Sequence, residues 1–190
     1  MNKKFILGVG AQKTGTSWLY RNLKKNKQFN FGLTKEYHIW DAKFLSTCKN
    51  FLVKDQNNLT KLQKVRLKMH EIEGFYEDYF LSIINNEKYI TGDMTPSYSM
   101  LNEKHFKYIK KKLDVNFDIK VILILRDPID RVWSQMKMER KFRLNKGFKM
   151  SEKELVSEFE FHHSKEKYFD RSNYISTLKS LNVFEKKQIL

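Results

Sequence analysis

Phe5-Ile-Leu-Gly-Val-Gly-Ala-Gln-Lys-Thr-Gly-Thr-Ser-Trp-Leu19 decides the fold. Its apolar run, residues 5–9, reads as a buried strand; a glycine-bearing turn follows, and residues 17–25 suit a helix. Strand, glycine turn and helix in that order build an anion site. The first backbone N–H groups of a helix have no partner within it, and the aligned peptide dipoles add roughly half a positive charge there.

Gly10 and Gly15 have the Gly-x-x-x-x-Gly spacing of a P-loop, but Thr16-Ser17 stand where a nucleoside triphosphatase carries Lys-Ser/Thr. The lysine is Lys13, inside the turn. A displaced lysine points to a phosphate-type ligand whose chemistry departs from the Mg-triphosphate pattern. The bland alternative is an ordinary strand-to-helix turn with a solvated lysine.

The strongest strand signal after this one is residues 119–125, Ile-Lys-Val-Ile-Leu-Ile-Leu. Its near-continuous apolar character predicts a central parallel strand covered on both faces. It ends at Arg126-Asp-Pro128, where Asp127 can cap a helix and Pro128 suits the first helical position. Parallel sheets bind ligands beyond the carboxyl ends of their strands, and both Lys13 and Arg126 fall there. The class expected is α/β: three layers, α/β/α, with a central parallel sheet of P-loop type.

Between these anchors, residues 29–33 read as a short strand leading into Thr34-Lys-Glu-Tyr-His-Ile-Trp-Asp41. If that segment is extended, Glu36, His38 and Trp40 share one side and Lys35, Tyr37 and Ile39 the other. A carboxylate two residues from an imidazole suits acid–base work, although a surface ion pair beside a half-buried histidine has the same pattern. Residues 41–86 read as largely helical, and residues 88–98 as a short strand ending in a turn at Pro96. Residues 103–113 read as a lysine-studded helix. Ser151-Glu-Lys-Glu154 has the form of a capping box. Adjacent histidines on a helix do not face together, so His162-His163 reads as a solvated helix end and not a metal site. Residues 172–181 suit a last helix, and residues 187–190 look like a strand beginning. No repeat, low-complexity block or linker interrupts a single domain over residues 1–190.

A hydrophobic share of 41% argues for a packed core over disorder. The formal net charge of +15 implies anionic partners: a nucleotide, an acidic polymer, nucleic acid or a membrane surface. Cys48, the one cysteine, cannot form an internal disulfide, which suits a reducing, cytoplasmic compartment. Lys3-Lys4 before an apolar run imitates a signal peptide, but the run is short and breaks at Gln12-Lys13. No stretch approaches the roughly 20 apolar residues of a membrane span, so no membrane anchor is expected.

Four ordered pieces resemble the sulfotransferases that use 3′-phosphoadenosine 5′-phosphosulfate (PAPS), in their heparan-sulfate and Nod-factor branch. They are Gln12-Lys-Thr-Gly-Thr-Ser-Trp-Leu19, Lys35-Glu-Tyr-His-Ile-Trp-Asp41, Thr95-Pro-Ser-Tyr98 and Leu125-Arg-Asp-Pro-Ile-Asp-Arg-Val-Trp-Ser134. Ser172-Asn-Tyr174 is a weaker fifth. Sulfuryl transfer needs a base on the acceptor, positive charge at the leaving oxygen and in-line placement. The resemblance implies Glu36 as base, with Lys13 and His38 as its catalytic companions. It implies donor contacts from Gln12 and Trp18, and from Lys13, Thr14, Gly15, Thr16 and Ser17 at the 5′-phosphate. Arg126 and Ser134 would hold the 3′-phosphate, the feature separating PAPS from ATP. Lys35, His38, Asp41 and Thr95 would serve the acceptor side, best matched to a saccharide or another small hydroxylated molecule, with a lipid, a small metabolite or a peptide tyrosine as the alternatives. PAP, the 3′,5′-bisphosphate, would be the product. No metal is implied, since Lys13 and the helix dipole stand in its place, and no nucleic acid partner is expected.

Two departures stand out. Relatives commonly carry a lysine before Thr-Pro, where this chain has Met94, which removes one cationic contact. Relatives also continue through another strand and a basic, glycine-bearing loop, so the sequence is expected to lack their usual C-terminal segment. Two other readings use the same residues. A P-loop kinase or nucleoside triphosphatase would bind ATP with Mg²⁺ and take residues 125–127 as an imperfect metal-binding strand end. A non-catalytic basic module for nucleic acid or acidic glycan would bind in a steeply salt-dependent way and ignore PAP.

Overall fold

The computed structural model describes residues 3–55, 57–162 and 166–190. Its centre is the strand β1 (Lys4–Gly10), paired in parallel on both sides: with β2 (Ile90–Asp93) and with β3 (Asp118–Leu123), giving the order β2-β1-β3. Register runs Lys4 to Ile90 and Leu7 to Asp93 on one side, and Lys4 to Asp118 and Gly8 to Ile122 on the other.

Period-two alternation along β1 divides the core. Phe5, Leu7 and Val9 are fully buried on one face, with Tyr76, Phe80, Phe106, Ile109 and Ile119. These come from α4 (Phe75–Ser82), α5 (Glu103–Leu113) and β3, with α2 (Trp40–Phe44) and α3 (Lys61–Glu71) closing that layer. Phe5 packs edge-on against Phe80, ring centroids 5.0 Å apart, and such a residue typically costs about 3–5 kcal/mol when cut to alanine. On the other face Ile6, Phe31, Ile90 and Met94 pack under Leu19, Tyr20 and Leu23 of α1 (Thr16–Leu23). The result is the expected α/β/α sandwich with a parallel sheet, its α1 layer thin. Met94 is buried there, over Gly8, where any Cβ would lie 2.8 Å from the Met94 side chain. It therefore supplies packing.

The helix ends follow local chemistry. Asp127 caps α6 (Pro128–Asn145), accepting the Asp130 N–H at 3.0 Å, and Pro128 sits in its first turn. Ser151 and Glu154 close the capping box of α7 (Glu152–His162). His162 ends that helix and His163 lies outside the described residues. After α8 (Glu166–Phe169) and a 3-10 turn (Asp170–Ser172), α9 (Tyr174–Ser180) starts from an Asn173 cap. Residues 187–190 do begin a parallel pairing, with the Leu190 N–H on the Val121 carbonyl at 2.8 Å. Among the described residues no helix is long and apolar enough to cross a membrane.

Three expectations need correction. The central strand is β1, because among the described residues the backbone pairing beyond β3 is confined to Ile189 and Leu190; Ile119 and Val121 are buried while Lys120 and Ile122 are only half-covered. The stretch 29–33 makes one isolated bridge, Phe29 to Ile90, and turns away at Gly32. Residues 34–41 are not an alternating strand: His38 adopts φ 56° and α2 starts at Trp40. Trp40 is therefore turned into the core, away from Glu36 and His38.

Candidate active site

The turn after β1 shapes the cradle that the sequence reading expects to take an anion. Lys13 (φ 68°) and Gly15 (φ 102°) are both left-handed, a conformation glycine adopts without penalty. A Cβ on Gly15 would meet nothing within 4 Å, so space stays open in front of α1. The start of that helix has no side-chain cap; the Trp18 and Leu19 N–H groups close on the Gly15 carbonyl, so those of Thr16 and Ser17 are the ones placed for a ligand. Thr14 turns its hydroxyl back on the loop, donating to the Ala11 carbonyl at 2.7 Å. Arg126, just past β3, donates to the Lys13 carbonyl at 3.4 Å, which ties the two strand ends together.

A second group faces this cradle. Lys35 Nζ lies 2.6 Å from Glu36 Oε1 and also reaches Thr16 Oγ1 at 3.0 Å and Ser17 Oγ at 3.2 Å. His38 Nε2 lies 3.3 Å from Glu36 Oε2, and its Nδ1 lies 2.7 Å from Asp41 Oδ2. Asp41 is fully buried and fixed by the Ser97 hydroxyl and the Ala42 N–H. Phe51 stacks on the imidazole, ring centroids 3.5 Å apart and planes within 3°. Behind the pair, buried Asp93 accepts from the Tyr37 N–H, the Thr95 hydroxyl and the Tyr98 hydroxyl. Arg66 holds the Glu36 carbonyl at 2.8 Å. The strained His38 backbone is thus fixed from several directions.

Charge follows geometry. Burial pushes the Glu36 carboxyl up, but the hydrogen bonds and charges of His38 and Lys35 outweigh it and hold Glu36 below its ordinary range. Burial lowers His38, yet Asp41 and Glu36 bring it above the usual imidazole value. Lys13 is lowered by burial and by the neighbouring charges of Arg126 and Lys137. An anion bound there would relieve that repulsion.

These groups line one cavity of about 600 Å³. Lys13, Arg21, Lys35, Arg126 and Arg171 bring five cations to it, against the single carboxylate of Glu36. Gln12, Gly15, Thr16, Ser17, Trp18 and Ser134 also reach it, with Trp18 65% exposed. Thr14, Asp41 and Thr95 do not. The hydroxyl of Thr14 is spent on its own loop, and Asp41 and Thr95 are fully buried, so both stand behind the wall, where they support the groups that line it. Sequence reasoning missed Arg21, Phe51, Ser97, Met138 and Arg171. Arg21 was within reach of it, one helical turn beyond Ser17, and so was Ser97, inside Thr95-Pro-Ser-Tyr98; Phe51, Met138 and Arg171 join only through tertiary contact.

Fold and site together define a P-loop-like α/β protein that gathers cations at an anion cradle beside a carboxylate–imidazole pair. The model of the sulfotransferase domain matches residues 3–190, and the chain belongs to that family. A solved sulfotransferase from Alicyclobacillus acidocaldarius has a similar fold, with a TM-score of 0.64 and 20% identity over 100% of this chain and 72% of that one. No curated protein matches the sequence.

Proposed function

We propose that this protein transfers a sulfuryl group from PAPS to a hydroxyl or amine of an acceptor, best matched to a saccharide. The observation that carries the reading is the meeting, in one cavity, of the Lys13 cradle, the Arg126 and Ser134 pair, and the Glu36–His38 pair that buried Asp41 supports from behind. The residues fit the donor: the open space at Gly15 faces uncapped helical N–H groups, and cations lie at two strand ends. PAPS would supply the sulfuryl group on its 5′ side and carry a 3′-phosphate that ATP lacks.

Lys13, Thr16 and Ser17 would hold the 5′ side, with Lys35 adding a second ammonium. Arg126 would grip the 3′-phosphate, a task for which its planar donor fork suits it, with Ser134 as a hydroxyl donor. Glu36 would accept the acceptor's proton. Its carboxyl is held below the ordinary range, so it would be ionised at neutral pH, and it lines the same cavity as the cradle, joined to Thr16 and Ser17 through Lys35. His38, clamped by Asp41 and Phe51, fixes the Glu36 carboxylate.

The test is transfer of labelled sulfuryl from PAPS to a panel of uncharged and anionic oligosaccharides, beside Glu36→Gln. Label on a saccharide, cut about 10²- to 10⁴-fold in the variant, is expected. Transfer unaffected by Glu36→Gln would remove Glu36 from the role of base.

A further inference from the structure

Arg171 enters the cavity from far along the chain, on the 3-10 turn Asp170–Ser172. Its guanidinium donates to the Gln12 side chain, beside Lys13 in the cradle. What aims it there is Arg131 of α6, fully buried. Arg131 Nε donates to Ser172 Oγ at 2.6 Å, Nη2 to the Tyr168 carbonyl at 2.9 Å and Nη1 to Gln135 Oε1 at 2.8 Å. Gln135 continues to Glu139 at 2.9 Å, and Glu139 accepts the Tyr168 hydroxyl at 3.2 Å. A buried arginine is costly unless each donor is met, and this one meets backbone and side chain on both sides of Arg171. The turn is thereby held with Arg171 in the wall of the cavity, against Gln12.

Resting on the sulfotransferase reading above, we propose that Arg171 is a direct anion-binding residue for the donor at the Lys13 loop, presented by the buried Arg131 hub. With one arm on Gln12 and its charge facing the cavity, the guanidinium can add charge-assisted hydrogen bonds to an anion in the cradle. Arg126 approaches from β3 and Arg171 from the opposite end of the chain, so the anion is clasped by two independent segments.

The experiment is calorimetric titration of the full chain with PAP, comparing Arg171→Lys, Arg171→Gln and Arg171→Ala, with unfolding midpoints as a folding control. Arg171→Ala and Arg171→Gln should weaken binding about 10- to 100-fold, and Arg171→Lys by less, with midpoints unchanged. Arg171→Ala binding PAP like the wild type overturns the inference. So does Arg171→Gln binding as well as Arg171→Lys, since an amide can still meet Gln12 and the charge would then be irrelevant. Wild-type protein that binds no PAP refutes the sulfotransferase reading itself; loss in Arg126→Ala without loss in Arg171→Ala refutes only the inference.

Discussion

Lys35 and Glu36 hold each other at 2.6 Å, while the same Lys35 ammonium reaches Thr16 and Ser17 at the start of α1. One cation therefore touches both the proposed base and the anion cradle. An anion arriving at the cradle competes with Glu36 for that ammonium. The carboxylate would lose a partner and gain basicity as the donor binds.

This relationship makes Lys35→Met informative. Lys35 and His38 together hold Glu36 below its ordinary range against the upward push of burial. Removing Lys35 raises the Glu36 pKa, and a base must be deprotonated to act. The acid limb of kcat/KM against pH should therefore move to higher pH, with a lower plateau from the lost cation. A limb that stays in place would separate Lys35 from the base.

His38 gives a second prediction. Its folded pKa lies above the ordinary value of 6.5 because Asp41 and Glu36 outweigh burial. A raised folded value contributes stability that is fully present below the unfolded pKa and is lost as pH rises through the folded one. Asp41→Asn should bring the His38 titration down, followed by NMR of the ring protons, and flatten the stability profile over that window. An unmoved titration would mean that the 2.7 Å contact does not govern the imidazole.

Arg131→Ala tests the hub under Arg171. It leaves Gln135 Oε1, Ser172 Oγ and the Tyr168 carbonyl without the guanidinium they meet now. Loss of about 2–4 kcal/mol in urea unfolding is expected, with weaker PAP binding because the Asp170–Ser172 turn is released. A change within about 0.5 kcal/mol, the range of ordinary surface substitutions, would deny the hub its role.

The cradle was legible because it is local: the apolar run 5–9, the glycines and Lys13 lie within one strand and turn, and the backbone follows from them. The α6 cap at Asp127-Pro128 was legible for the same reason. The stretch 34–41 misled because alternation was assumed where His38 takes a left-handed turn, and nothing in a histidine announces that. Its conformation is imposed from Asp93 and Thr95, more than fifty residues away. Arg171 was invisible for a related reason. Its partner Gln12 is 159 residues distant, and the residue that aims it, Arg131, looks in sequence like one more charge on a basic helix.

The most direct measurement is calorimetric titration of wild type and Arg126→Ala with PAP in Mg²⁺-free buffer, beside ATP with Mg²⁺. Micromolar PAP binding that Arg126→Ala loses, with ATP far weaker, is the expected result. A folded protein that prefers Mg²⁺-ATP, or that binds PAP equally well without Arg126, would contradict a cavity built for a 3′,5′-bisphosphate.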